Sequence, residues 1–145
     1  MATPKKLDAT RIYERLYQGS YPKDSHAPYR EGFDVVVLAA KELQRPSFLG
    51  VRTIYCPLDD AGNPMTTQEW QMAQSCAIEV AKLHKVGAKI LVTCAQGKNR
   101  SGLITALALH LISGLSPIVC AGHIQGLRAD ALNNEFFLSA LASIS

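Results

Sequence analysis

The stretch Cys94-Ala95-Gln96-Gly97-Lys98-Asn99-Arg100-Ser101-Gly102 holds the residue types for nucleophilic attack on an oxyanion within nine consecutive positions. A run of apolar residues, Lys89-Ile90-Leu91-Val92-Thr93, precedes it, and an apolar helical pattern, Ser101 to Ser113, follows it. A short loop from the end of a strand to the start of a helix aims several backbone N–H groups at one point, and the helix dipole adds partial positive charge there. Ala95, Gln96, Gly97, Lys98, Asn99 and Arg100 are therefore read as a phosphate-binding cradle. Gly97 relieves its curvature and Gly102 permits close packing of the first helical turn.

Cys94 stands at the mouth of that cradle. Aligned N–H dipoles and a nearby guanidinium favour thiolate over thiol, and the thiolate is the nucleophile. Arg100 offers a planar fork that matches two oxygens of a phosphoryl group, which a lysine does not. The Ser101 hydroxyl can donate to the sulfur and ease its departure from a phospho-enzyme. Attack on a phosphomonoester also needs a group to protonate the leaving oxygen and later to deprotonate water. Asp59-Asp60 lies on a Gly- and Pro-rich loop, Pro57 to Pro64, that would overhang the cradle if the strand before it neighbours the Cys94 strand. Asp60, farther out, is the first choice and Asp59 the second.

The elements that must position these groups follow from hydrophobic period and turn residues. Arg11 to Tyr17 alternates and stops at Gly19-Ser20, which predicts a short strand and a turn. Tyr21 to Gly32 reads as loop. Phe33 to Leu38 and Val51 to Cys56 are β-branched runs that predict two more strands. Thr66-Thr67-Gln68-Glu69 has capping-box spacing, and Trp70, Ala73, Ala77, Val80, Ala81 and His84 recur at helical spacing, so a long helix runs to about Lys85 and ends at Gly87. The continuous run Lys89 to Thr93 predicts a central strand covered on both faces. The helix from Ser101 is apolar almost all round and should be buried. Ser116-Pro117 opens another helix toward Arg128, and Asn133 or Asn134 a last one. One α/β domain over residues 1–145 is expected, with a mixed sheet of about five strands flanked by helices and the phosphate loop between the central strand and a buried helix.

Composition narrows the function. The 145 residues carry 48% hydrophobic and 19% charged side chains, a globular balance. Net charge +3 suits an anionic ligand but lacks the dense Lys/Arg clustering of a nucleic-acid binder, so nucleic acid is not the expected partner. The apolar stretch Leu103 to Ile112 is too short to span a bilayer, and the basic N-terminus has no apolar run behind it, so neither membrane nor secretion is expected and the cytoplasm is the default location. Cys56, Cys76, Cys94 and Cys120 form no CxxC pair, and His26, His84, His110 and His123 have no ligand spacing, so no metal or other cofactor is implied. Cys76, Cys120 and Trp70 read as packing residues. Cys56 reads as core in the first instance, with a resolving role toward oxidised Cys94 if its strand runs beside that of Cys94. Arg128 is a second anion contact or a dipole complement, and Lys98 a tuner of substrate charge or a solvated lysine.

Cys-x5-Arg is weakly specific alone, but its context resembles the cysteine-dependent protein tyrosine phosphatases, in particular the compact dual-specificity type, whose signature is His-Cys-x5-Arg-Ser/Thr. Val92-Thr93-Cys94 through Arg100-Ser101-Gly102 carries that signature with Thr93 at the histidine. Leu16-Tyr17-Gln18-Gly19-Ser20 is similar to the family's first-strand pattern, Tyr55-Cys56-Pro57-Leu58-Asp59-Asp60 to the approach to its acid loop, and Ala131 to Phe137 to the start of its last helix. The resemblance implies Cys94 as nucleophile, Arg100 as phosphate binder, Ser101 as aid to thiolate departure and Asp60 as acid and base. It implies a phosphorylated protein or peptide as partner, with phosphotyrosine, phosphoserine or phosphothreonine as substrate. The family's histidine orders the loop, and the Thr93 hydroxyl can hydrogen-bond into the same loop. Three alternatives use the same cradle: phosphoinositides or RNA 5′-triphosphates as substrates, phosphate binding without turnover, and sulfur transfer of rhodanese type. Ala95 where phosphoinositide-directed relatives often carry lysine, and the Arg100-Ser101 ending, argue against the first and last.

Overall fold

A computed structural model describes residues 6–46 and 48–144. Five strands, β1 (Ala9–Tyr13), β2 (Leu16–Ser20), β3 (Val35–Ala40), β4 (Arg52–Leu58) and β5 (Ile90–Cys94), form one mixed sheet in the order β1-β2-β5-β3-β4. Only β1 is antiparallel to its neighbour. The helices are α1 (Ala27–Arg30), α2 (Thr67–Lys85), α3 (Arg100–Ser113), α4 (Pro117–Leu127) and α5 (Glu135–Ala142).

β5 lies at the centre, as its unbroken apolar run predicts, and all of its residues are buried. Strand period sorts its side chains to opposite faces. Ile90, Val92 and Cys94 join Val35, Val37 and Ala39 in the core beneath α2 and α3, while Leu91 joins Val36 and Leu38 in a second cluster with Phe33, Phe48 and Val51. Cys94 therefore faces the helix layer. From Arg100 to Leu109 every residue of α3 is buried, so this helix is the internal pillar that its all-round apolarity predicts. The Thr66–Glu69 capping box forms at the start of α2, with Glu69 N–H donating to Thr66 Oγ1 and Thr66 N–H to a Glu69 carboxylate oxygen. Gly87 and Gly114, both at positive φ, follow α2 and α3.

Three expectations are corrected. The run Arg11 to Tyr17 belongs to two strands of a hairpin, with Glu14 at φ 51° in its turn. The alternation passes through this turn without an Asn-Gly or Asp-Gly marker, so the sequence pattern reads as continuous. The segment Tyr21 to Gly32 holds the helical turn α1, with Pro28 in its first turn. A correction to sheet order also bears on the site: β4 is an edge strand paired to β3, and β3 separates it from β5. Cys56 is thus not beside Cys94. It lies against α2, its thiol 3.7 Å from Met72 O and in contact with Cys76. That contact, and burial after it, push the Cys76 thiol far up. Packing is what the geometry supports for both.

Candidate active site

The loop 94–100 closes the C-terminal end of β5 onto α3, and its carbonyls are pulled away from the cradle by groups far apart in sequence. Gln18, fully buried on β2, donates Nε2 to Gly97 O at 3.0 Å and Lys98 O at 3.4 Å. Arg128 donates Nε to Gly97 O at 2.7 Å and Nη2 to Gln96 O at 3.2 Å, and Leu132 N–H reaches Lys98 O at 3.1 Å. In a planar trans peptide the N–H points opposite the carbonyl. Holding the carbonyls of 96, 97 and 98 outward turns the N–H groups of Gly97, Lys98 and Asn99 inward. Arg128 is itself fixed by a double contact to Asp8, at 2.9 and 2.6 Å, and by Thr10 at 3.0 Å. Its hydrogen bond, the largest effect, holds the Asp8 carboxyl below the ordinary range.

Gly97 has φ 69°, and a Cβ there would lie 2.5 Å from the Gly19 backbone, so the loop rests directly on β2. A Cβ on Gly102 would lie 2.7 Å from Leu132, the close packing its position predicts.

Cys94, 4% exposed, has its Sγ 3.2 Å from Ser101 Oγ. In that contact the thiol donates when protonated and the hydroxyl when the sulfur is ionised. Arg100 is 7% exposed and grips Glu42 with Nη1 at 2.5 Å and Nη2 at 2.9 Å, and Nη1 also donates to Leu58 O at 3.1 Å. The remaining N–H groups, Nε and the second hydrogen on Nη2, share one edge of the guanidinium plane. Nε is buried without a partner among the described residues. That edge has the spacing of two phosphoryl oxygens. Burial works against the charge on Arg100, but the Glu42 hydrogen bond and the negative charges of Cys94, Glu42 and Asp60 outweigh it and raise its pKa. The same hydrogen bond brings the Glu42 carboxyl from 4.5 down to about 2.

Asp60, exposed on the loop after β4, accepts from Asn99 Nδ2 at 3.0 Å and from Asn134 Nδ2 at 2.6 Å. A cavity of about 270 Å³ is lined by Glu42, Asp60, Cys94, Ala95, Gln96, Lys98, Asn99 and Arg100. The structure thus brings Cys94, Arg100, Ser101 and Asp60 together although β4 does not adjoin β5, because the loop after β4 crosses the end of β3. Asp59 does not line this cavity, and its backbone N–H donates to Glu69 Oε2 at 3.2 Å. Gly97 supports the loop from beneath. Lys98 lies on the cavity wall.

One expectation fails. The Thr93 hydroxyl donates to Val37 O on β3 at 2.7 Å rather than into the loop, because residue 93 faces the opposite side of the sheet from Cys94. Reasoning from sequence missed Glu42, the bracing role of Gln18, and the contacts of Asn99 and Asn134 with Asp60. A glutamine between Tyr17 and Gly19 in a short strand was a weak signal for Gln18; Glu42, just past the end of a strand parallel to β5, was a weaker one.

No family model matches this sequence, and no curated protein matches it. Solved structures match it closely in fold. A mouse putative dual specificity phosphatase complexed with zinc tungstate superposes with TM-score 0.82 at 18% identity, covering 99% of this chain and 89% of that one. Human DUSP28 gives 0.76 at 21% identity, over 98% and 95%. OH1 from the Orf virus, described as a tyrosine phosphatase with triple substrate specificity, gives 0.74 at 21%, over 98% and 90%. The chain has the compact dual-specificity phosphatase fold.

Proposed function

We propose that this chain is a cysteine-dependent phosphatase that hydrolyses protein phosphomonoesters, phosphotyrosine first, through a cysteinyl-phosphate. The observation that carries the reading is the convergence of Cys94, Arg100 and Asp60 on one cavity, with Arg100 Nε left without a partner among the described residues. The fold shared with dual-specificity phosphatases supports it. We place its substrates in the cytoplasm.

In the first step the Cys94 thiolate attacks phosphorus, the P–O bond to the leaving group breaks, and Asp60 passes its proton to the departing oxygen. The free edge of Arg100 and the inward N–H groups of the loop bind the equatorial oxygens, where charge gathers in the transition state. In the second step water attacks the cysteinyl-phosphate, Asp60 takes its proton, and the S–P bond breaks with Ser101 donating to the returning thiolate. No step draws on a metal.

The test is hydrolysis of p-nitrophenyl phosphate and a phosphotyrosine peptide by wild type, Cys94→Ser and Asp60→Asn. Wild type should turn over both, Cys94→Ser neither, and Asp60→Asn should lose about 100-fold or more on the peptide. Phosphate binding without wild-type turnover would overturn the reading in favour of a binding module.

A further inference from the structure

The helix cap at the start of α5 has a second task. Asn134 Oδ1 accepts from Phe136 N–H at 2.9 Å and Phe137 N–H at 3.1 Å, the ordinary work of an N-cap asparagine. Two backbone donors on Oδ1 leave the amide one orientation, with Nδ2 turned away from the helix. Nδ2 then meets Asp60 Oδ1 at 2.6 Å.

Asn99 is fixed in the same way. Its Oδ1 accepts from Asn134 N–H at 2.9 Å, so its Nδ2 must face outward, where it donates to Asp60 Oδ2 at 3.0 Å and Asn133 Oδ1 at 2.8 Å. Asn99 and Asn134 are both buried, whereas Asp60 is exposed on a loop that also carries Gly62, Asn63 and Pro64. A carboxyl group on such a loop would otherwise sample many positions, and a displacement of about 1 Å can cost roughly 100-fold in rate. Each carboxyl oxygen accepts one amide and keeps a lone pair for the proton or the substrate.

We propose that Asn134 is a positioning residue: resting on the phosphatase reading above, its amide, oriented by the α5 cap and joined by that of Asn99, aims the Asp60 carboxyl at the leaving oxygen. The helix cap, the acid loop and the phosphate loop are by this account one rigid unit, and the cap acts on chemistry only through Asp60.

Asn134→Ser separates the two tasks. Serine caps a helix about as well as asparagine but has no amide donor, so the melting temperature should stay close to wild type. The readout is kcat/KM on two aryl phosphates. p-Nitrophenolate leaves readily without a proton, whereas phenolate, with a pKa near that of tyrosine at about 10, needs one. Asn134→Ser should lose at least about tenfold more on phenyl phosphate than on p-nitrophenyl phosphate, the same pattern as Asp60→Asn. In the Asp60→Asn background the added serine should change either rate less than about twofold, since the residue it positions is gone. Equal losses on the two substrates, or a full loss persisting in the Asp60→Asn background, would overturn the positioning role while leaving the phosphatase reading intact. Absence of wild-type turnover on both substrates would overturn that reading and this proposal with it.

Discussion

Replacing Glu42 with glutamine tests the claim that Arg100 is steered from behind. In the folded chain the Glu42 carboxyl titrates at about 2 against an ordinary 4.5, chiefly through its hydrogen bond to Arg100. At about 1.36 kcal/mol for each tenfold in proton affinity, that gap corresponds to roughly 3 kcal/mol before screening. The Glu42 side chain is 57% exposed, and water screens the pair, so the expected contribution is about 1–2 kcal/mol. The sign follows from linkage: a carboxyl group whose folded pKa is depressed stabilises the fold above its unfolded pKa and loses that contribution as pH falls toward the folded value. Urea denaturation at pH 7 should therefore find Glu42→Gln less stable by about 1–2 kcal/mol, and the difference should shrink by more than half at pH 3. Activity should split. Glutamine also removes a negative charge beside the phosphate site, so KM stays level or falls. The fork, held only by Leu58 O, drifts from its transition-state position, so kcat falls about tenfold. Unchanged stability at pH 7, a pH-independent difference, or an unchanged kcat would refute this reasoning.

Three further outcomes are expected. Gly97→Ala combines left-handed strain of about 1–2 kcal/mol with a backbone clash against Gly19 of about 1–3 kcal/mol, so phosphate affinity measured by calorimetry should fall before the fold itself melts. Thr93→Val removes a fully buried hydroxyl that donates to Val37 O and should cost about 1 kcal/mol in urea, with kcat within about threefold of wild type; a collapse of kcat would show that Thr93 acts on the loop after all. Arg100→Lys keeps the charge but loses the two-pronged edge, and kcat/KM should fall at least about 100-fold, read by p-nitrophenyl phosphate hydrolysis.

Cys94, Arg100 and Ser101 were legible because covalent adjacency puts them in one loop and because the apolar runs on either side can only be a covered strand and a buried helix. The starts of α2, α4 and α5 were legible for a similar reason: Thr66, Ser116 and Asn134 each satisfy N–H groups within a few residues of themselves. Asp60 was chosen as acid on the condition that β4 adjoins β5; β3 lies between them, and Asp60 lines the cavity all the same. The hairpin of β1 and β2 was missed because its turn uses Glu14 in a left-handed conformation that side-chain pattern does not announce.

The sequence by itself determined the frame of the loop, a strand, a tight turn and a helix whose local patterns leave little freedom. Tertiary structure alone decided what braces them. Gln18, Glu42, Arg128 and Asn134 reach the loop, its arginine or Asp60 across 31 to 79 positions of chain. Their partnerships follow from strand order and from which face of the sheet each residue meets, and those are settled by burial of the whole core rather than by any local spacing.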